Sequence, residues 1–158
     1  MLGNTRKRLI LLAGAIALPG APAHAADWRL TAARHTPFGA SLAFLDLQSI
    51  RGGDGQVQFS TQTFFSRKTR NMNRVATTVT ADCQTMTYRF QRITLFRNQQ
   101  SLSEWHSARP MTASPNTNVY DAISAACGIA EPGAHIEAIE GYAADRFRKR
   151  PRRMFGRA

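Results

Sequence analysis

Residues 52–65, GGDGQVQFSTQTFF, decide the fold. Asp54-Gly55 is a preferred pair for a tight hairpin, because both central residues of that turn need positive φ and glycine adopts it at no steric cost. Beyond the turn, Val57, Phe59, Thr61, Thr63 and Phe65 alternate with Gln56, Gln58, Ser60 and Gln62. Strict period two predicts a half-buried antiparallel strand, since successive side chains leave opposite faces of a sheet.

The pattern extends in both directions. Upstream, Trp28, Leu30 and Ala32 alternate with polar neighbours, and the run from Ser41 to Asp46 follows the breakers Pro37 and Gly39, so two more strands are expected. Downstream, after a polar turn over 67–73, Val75, Thr77, Val79, Ala81 and Cys83 share one side. Met86, Tyr88 and Phe90 have the opposite parity, which requires a reversal or bulge at Gln84-Thr85. The phase slips again at Gln91-Arg92, where a second bulge is expected. Only then does a helical signal appear. Ser114 reads as its N-cap and Pro115 as its first residue, Val119, Ile123 and Cys127 lie on one face, and Gly128 follows the last turn.

The first 25 residues read as a signal peptide. Arg6, Lys7 and Arg8 precede an apolar run from Leu9 to Leu18, and Ala23-His24-Ala25 supplies the small residues of a cleavage site. That run covers about half of a bilayer core, so it is too short for an anchor. No cysteine follows it to carry a lipid. The expectation is therefore an exported chain, periplasmic or secreted, that is not a lipoprotein. The mature part of about 130 residues is one domain's worth, small enough to profit from a covalent staple.

The chain has two cysteines, Cys83 and Cys127. A thiol could be a nucleophile, a metal ligand, a buried hydrophobe or half of a disulfide, and export favours the last. A bond between them closes a loop of about 45 residues, worth about 4 kcal/mol on the loop-entropy model. It would pin the helix to the sheet.

Asp27-Trp28 at the start, Phe44-Leu45-Asp46-Leu47-Gln48-Ser49-Ile50 before a glycine-rich turn, Asp82-Cys83 with Tyr88 after it, then Trp105 and a closing Ala126-Cys127-Gly128 resemble the surface-adhesin protein E family of Gram-negative bacteria. The resemblance spans about residues 27 to 128. It implies an α+β fold, an antiparallel sheet of five or six strands with a C-terminal helix held on one face by the disulfide. It also implies an adhesin-like binding protein whose members dimerise through the sheet. This chain departs from the pattern in lacking a lipid-bearing cysteine and in adding a basic tail. Three segments follow: the signal peptide 1–25, a protein E-like domain over 26–130, and a basic, partly helical or disordered extension over 131–158.

Catalytic patterns are not evident. His35, His106 and His135 are scattered, the acidic residues form no paired or calcium-binding spacing, and residues 52–55 lack the helix and lysine of a phosphate loop. The reading is a non-enzyme without metal or cofactor. Charge points instead to partners. The chain is +11, and Arg146, Arg148, Lys149, Arg150, Arg152, Arg153 and Arg157 crowd the tail behind an amphipathic pattern of Ile136, Ile139, Tyr142, Ala143 and Phe147. A second basic group, Arg67, Lys68, Arg70 and Arg74, is expected on a loop between strands. Both groups are candidate contacts for a protein or polyanion such as an acidic glycan, or for anionic lipid or lipopolysaccharide. Export from the cytoplasm disfavours nucleic acid. Two functions follow: a noncatalytic binding protein, or a structural envelope protein whose tail rests on an anionic membrane.

Overall fold

The computed structural model describes residues 25–36, 39–69, 72–107 and 109–149. Residues 1–24, most of the segment expected to be a signal peptide, lie outside them, as do Arg70, Arg150, Arg152, Arg153 and Arg157. Six strands follow one another as an antiparallel meander: β1 (Trp28–Thr36), β2 (Gly39–Gly53), β3 (Gln56–Thr69), β4 (Met72–Asp82), β5 (Thr87–Arg97) and β6 (Gln100–Trp105). The two-residue β7 (Met111–Thr112) pairs back onto β5, and α1 (Asn118–Ala126) and α2 (Ile139–Arg148) complete the chain. This is the expected α+β architecture.

Local sequence explains the turns. Asp54 and Gly55 close the β2–β3 hairpin with φ of 53° and 81°, the double positive geometry that suits the right-handed twist of its strands. At the β4–β5 reversal, Asp82 Oδ1 accepts the amides of Gln84 and Thr85, both at 2.9 Å. The Thr85 amide bond is the main reason the Asp82 carboxyl is held below its usual range. The expected slip at Gln91-Arg92 is present, where the pairing jumps from Thr78–Arg92 to Val79–Phe90.

β2 is the spine of the molecule. Residues 40–45 are buried without interruption, because each face of this strand carries its own core. Leu45 packs with Phe59, Val79, Ala81 and Ile123 of α1. Its neighbour Phe44 points the other way and packs with Leu42, Phe64, Ile139 and Ala143 of α2. The two helices therefore cover opposite faces of the sheet.

The disulfide joins the β4–β5 turn to the end of α1, with the Cα atoms of Cys83 and Cys127 5.6 Å apart, inside the range a disulfide spans without backbone movement. Helix α1 begins later than its sequence signal suggested. Asn116 takes a φ of 64° and interrupts any helix from Pro115. Thr117 is the N-cap in place of Ser114, and its hydroxyl accepts the Tyr120 amide at 3.2 Å. At the other end Gly128 has the expected positive φ, and the Ile129 amide reaches back to the Ser124 carbonyl.

The link between the helices closes one sheet edge. The amides of Gly133 and Ile136 donate to the carbonyls of Leu30 and Trp28, at 3.0 and 2.8 Å. A Cβ at Gly133 would stand 2.4 Å from the Leu30 oxygen, so this approach requires glycine.

Candidate polyanion interface at one end of the sheet

The sequence presents two basic groups about seventy residues apart, and the tertiary structure sets the strands that carry the first beside the helix that leads into the second. The β3–β4 hairpin, with Thr69 paired to Met72, projects at one end of the sheet. A cleft of about 240 Å³ separates that end from the C-terminal half of α2. Phe64, Phe65 and Asn73 line it from the sheet, Asn98 from the β5–β6 turn, and Ala144 and Phe147 from α2. The last turn of α2 thus lies beside the hairpin that carries the second basic group.

Within this arrangement the candidates divide. Arg67 and Lys68 belong to β3, not to a loop as expected, because the hairpin is tighter than its polar composition implied. Arg74 lies in β4 and is largely withdrawn from solvent, with 12% of its side chain exposed. Its guanidinium donates to Glu140 Oε1 of α2 at 2.8 Å and to Gln62 Oε1 at 3.2 Å, and lies 4.0 Å from the centroid of Phe96. It holds α2 on the sheet, and the sequence carried no signal of that role.

Arg148 and Lys149 are the open cations, 77% and 71% exposed. Both reach Asp145, at 3.6 and 2.8 Å, and the bond from Lys149 is the main reason that carboxyl titrates below its usual range. Exposed pairs of this kind hold little energy and leave the cations ready for another anion. Arg146 donates to the Tyr142 hydroxyl at 3.0 Å and lies over that ring, so it is oriented along the helix. The remaining tail candidates, Arg150, Arg152 and Arg153, and Arg70 of the hairpin lie outside the described residues.

Among the described side chains, His106 and His135 do not converge. His135 Nδ1 is 2.6 Å from Asp27 Oδ1, and His106 Nδ1 meets the Gln91 carbonyl oxygen. Among the described residues, no group of three His, Cys, Asp or Glu side chains gathers as metal ligands would. Nor is any helix there long and apolar enough to cross a membrane. Comparison with known protein families, with curated proteins and with solved structures found no match to this chain.

Proposed function

We propose that this protein is an exported, noncatalytic binding module that holds a polyanion at the hairpin and α2 end of its sheet, in the manner of an adhesin-like protein of the protein E type. The observation that carries the reading is the convergence of the β3–β4 hairpin and the α2 C-terminus across one cleft. Arg148 and Lys149 are exposed on the α2 side and β3 carries Arg67 and Lys68 toward the hairpin, and cations within a Debye length of about 10 Å of one another add their fields.

The packing of α2 favours surface contact over insertion. Ile139 and Ala143, the centre of its apolar stripe, are buried against β2 and β3. An anionic membrane would therefore be met by charge, at about 1 kcal/mol for each cation near the surface. This is how the alternative, a structural envelope protein resting on lipid or lipopolysaccharide, would operate.

The test is retention on heparin and on vesicles containing anionic phospholipid, across a salt gradient. Binding should weaken steeply with salt. It should fall in a variant with Arg148, Lys149, Arg150, Arg152 and Arg153 changed to Gln, and again in one with Arg67 and Lys68 changed to Gln. Loss in the first variant alone would reduce the site to the tail. Unchanged retention in both would reject the proposal.

A further inference from the structure

The two edges of the sheet are finished differently. Along β1, the carbonyls of Trp28 and Leu30 accept amides from the link between the helices, and Arg29 bridges to His135. Along β6, the last strand in the order, no described strand pairs with the outer edge, and all six residues from Gln100 to Trp105 are exposed.

An open edge presents unpaired backbone donors and acceptors to any extended chain, and proteins blunt it with proline, lysine, bulges or a cover. β6 has little of this protection. It holds one charge, Glu104, and no proline. A bulge at Leu102, where the pairing passes from Leu95–Ser103 to Phe96–Ser101, interrupts only its first half. Leu102 and Trp105 rank with Ile129 as the large apolar side chains most open to solvent among the described residues, at 38% and 43% exposure.

Register fixes what an added strand meets. On the α1 side, the row Leu45, Thr61, Thr77, Ile93 and Trp105 crosses from β2 to β6. Helix α1 packs chiefly on β1, β2 and β3, so this row begins in the core at Leu45 and ends in the open at Trp105. On the α2 side, the row from Phe44 through Gln62, Ala76 and Thr94 ends at Glu104, a carboxylate that is 46% exposed. β5, the inner neighbour, already displays the chemistry that suits these two residues. It sets Ile93 against Trp105, while on the other face the Thr94 hydroxyl donates to Glu104 Oε2 at 3.2 Å and Arg92 Nε reaches Oε1 at 3.5 Å. A strand on the outer edge lies about 5 Å from β6, as β5 does, and meets the same side chains from the other flank.

We propose that the outer edge of β6 binds an extended peptide segment of a partner protein by strand addition. Apolar residues of the segment lie on the α1 side against Trp105, and they alternate with threonine or a lone lysine or arginine on the α2 side against Glu104. A segment rich in cations would be repelled by the net charge of +11, so one cation among neutral residues is the matching pattern. The backbone ladder supplies affinity and the alternation supplies choice. None of the cations of the polyanion site takes part.

The probe is a fluorescently labelled, amidated peptide with the sequence of residues 91–96, Gln-Arg-Ile-Thr-Leu-Phe, the segment of β5 that faces Glu104 and Trp105 from inside. It is titrated with the full chain by anisotropy, beside a scrambled peptide of the same composition, and hydrogen exchange is followed in parallel. Saturable binding of the ordered peptide is expected, with new protection at β6 amides. Trp105→Ser should weaken it about fivefold, the worth of one strong cross-strand pair. Glu104→Lys should weaken it by a similar factor and reverse the preference toward a peptide whose Arg is replaced by Glu. Both side chains are exposed, and circular dichroism checks the fold of each variant. The Gln variant of Arg148 and Lys149 should bind as the parent does. Equal binding of the scrambled peptide, no saturable binding at millimolar peptide, or binding without new protection in β6 would overturn the site. Protection of β6 in the free chain that rises with its own concentration would overturn the partner and assign the edge to a second copy.

Discussion

Helices α1 and α2 press on opposite faces of β2, yet they are held by different forces. α1 is anchored at both ends, by the Thr117 cap and by the disulfide at Cys127, and it buries four consecutive residues, Ala122 to Ala125. α2 has no side-chain cap at Ala138 and buries only Ile139 and Ala143. It relies on the Arg74–Glu140 ion pair and on aromatic contacts such as Tyr142 with Phe44. The lesson is that one face is built for permanence, by covalent closure and apolar burial. The other has a smaller apolar contact with no covalent closure, and it is supplemented by an ion pair whose strength varies with salt.

The largest effect should come from the staple. Replacing Cys83 or Cys127 by Ser should cost about 4 kcal/mol and lower Tm by roughly ten degrees or more. Hydrogen exchange should then rise across α1 while α2 keeps its protection. Equal deprotection of both helices would break the comparison, because it would make α2 dependent on the α1 face.

Core truncation comes next. Ile123→Ala should cost about 3 kcal/mol and Ile139→Ala about 2 kcal/mol by chemical denaturation, since Ile123 is fully enclosed and Ile139 lies at a helix start. A reversed order would show that α2 is the firmer element.

The polar tether is weaker. Arg74→Met keeps an alkyl chain against Phe96 and leaves Glu140 half in water, so a loss of about 1 kcal/mol is expected, read as faster exchange in α2 alone. The caps sharpen the same contrast with opposite signs. Thr117→Ala should destabilise by about 1 kcal/mol, whereas Ala138→Asp should stabilise by about 0.5 kcal/mol, since it supplies a cap that α2 lacks.

The smallest effect concerns pH. Hydrogen bonds from Arg29, then His135, hold the Asp27 carboxyl below its usual range. A depressed folded-state pKa means that the contribution is fully present above the unfolded value of about 3.9 and is lost as pH falls through the folded value. Protection of the Ile136 amide, which donates to the Trp28 carbonyl, should therefore decline below about pH 4. It should do so before the amides of α1 respond.

Much of the fold was legible because strand period and turn chemistry are local. The alternation at Val57 to Phe65, the Asp54-Gly55 turn, the parity conflict at Met86 and the slip at Gln91-Arg92 each reappear in the register. Helix α1 was legible as an element but not at its start, because Ser114-Pro115 and Thr117 offer competing caps and the left-handed Asn116 decides between them. The basic groups were legible as composition only. The approach of the β3–β4 hairpin to the α2 C-terminus depends on α2 crossing to the second face, and the withdrawal of Arg74 depends on where Glu140 then comes to rest.

The amino-acid sequence by itself determined an antiparallel sheet, the hairpin positions, the pairing of Cys83 with Cys127 and a stapled helix, because each rests on short-range periodicity or on a choice of two residues. Only the tertiary structure decided that β2 is buried on both sides, that α2 lies opposite α1, and that Trp28, Ser60, Thr78 and Arg92 share one row. The physical reason is that a period of two tells which residues share a face but not what covers it. Covering is settled by which apolar stripe reaches which face, and here the segment from Gly133 to Ile136, bonded along the edge of β1, carries the chain across to the second face.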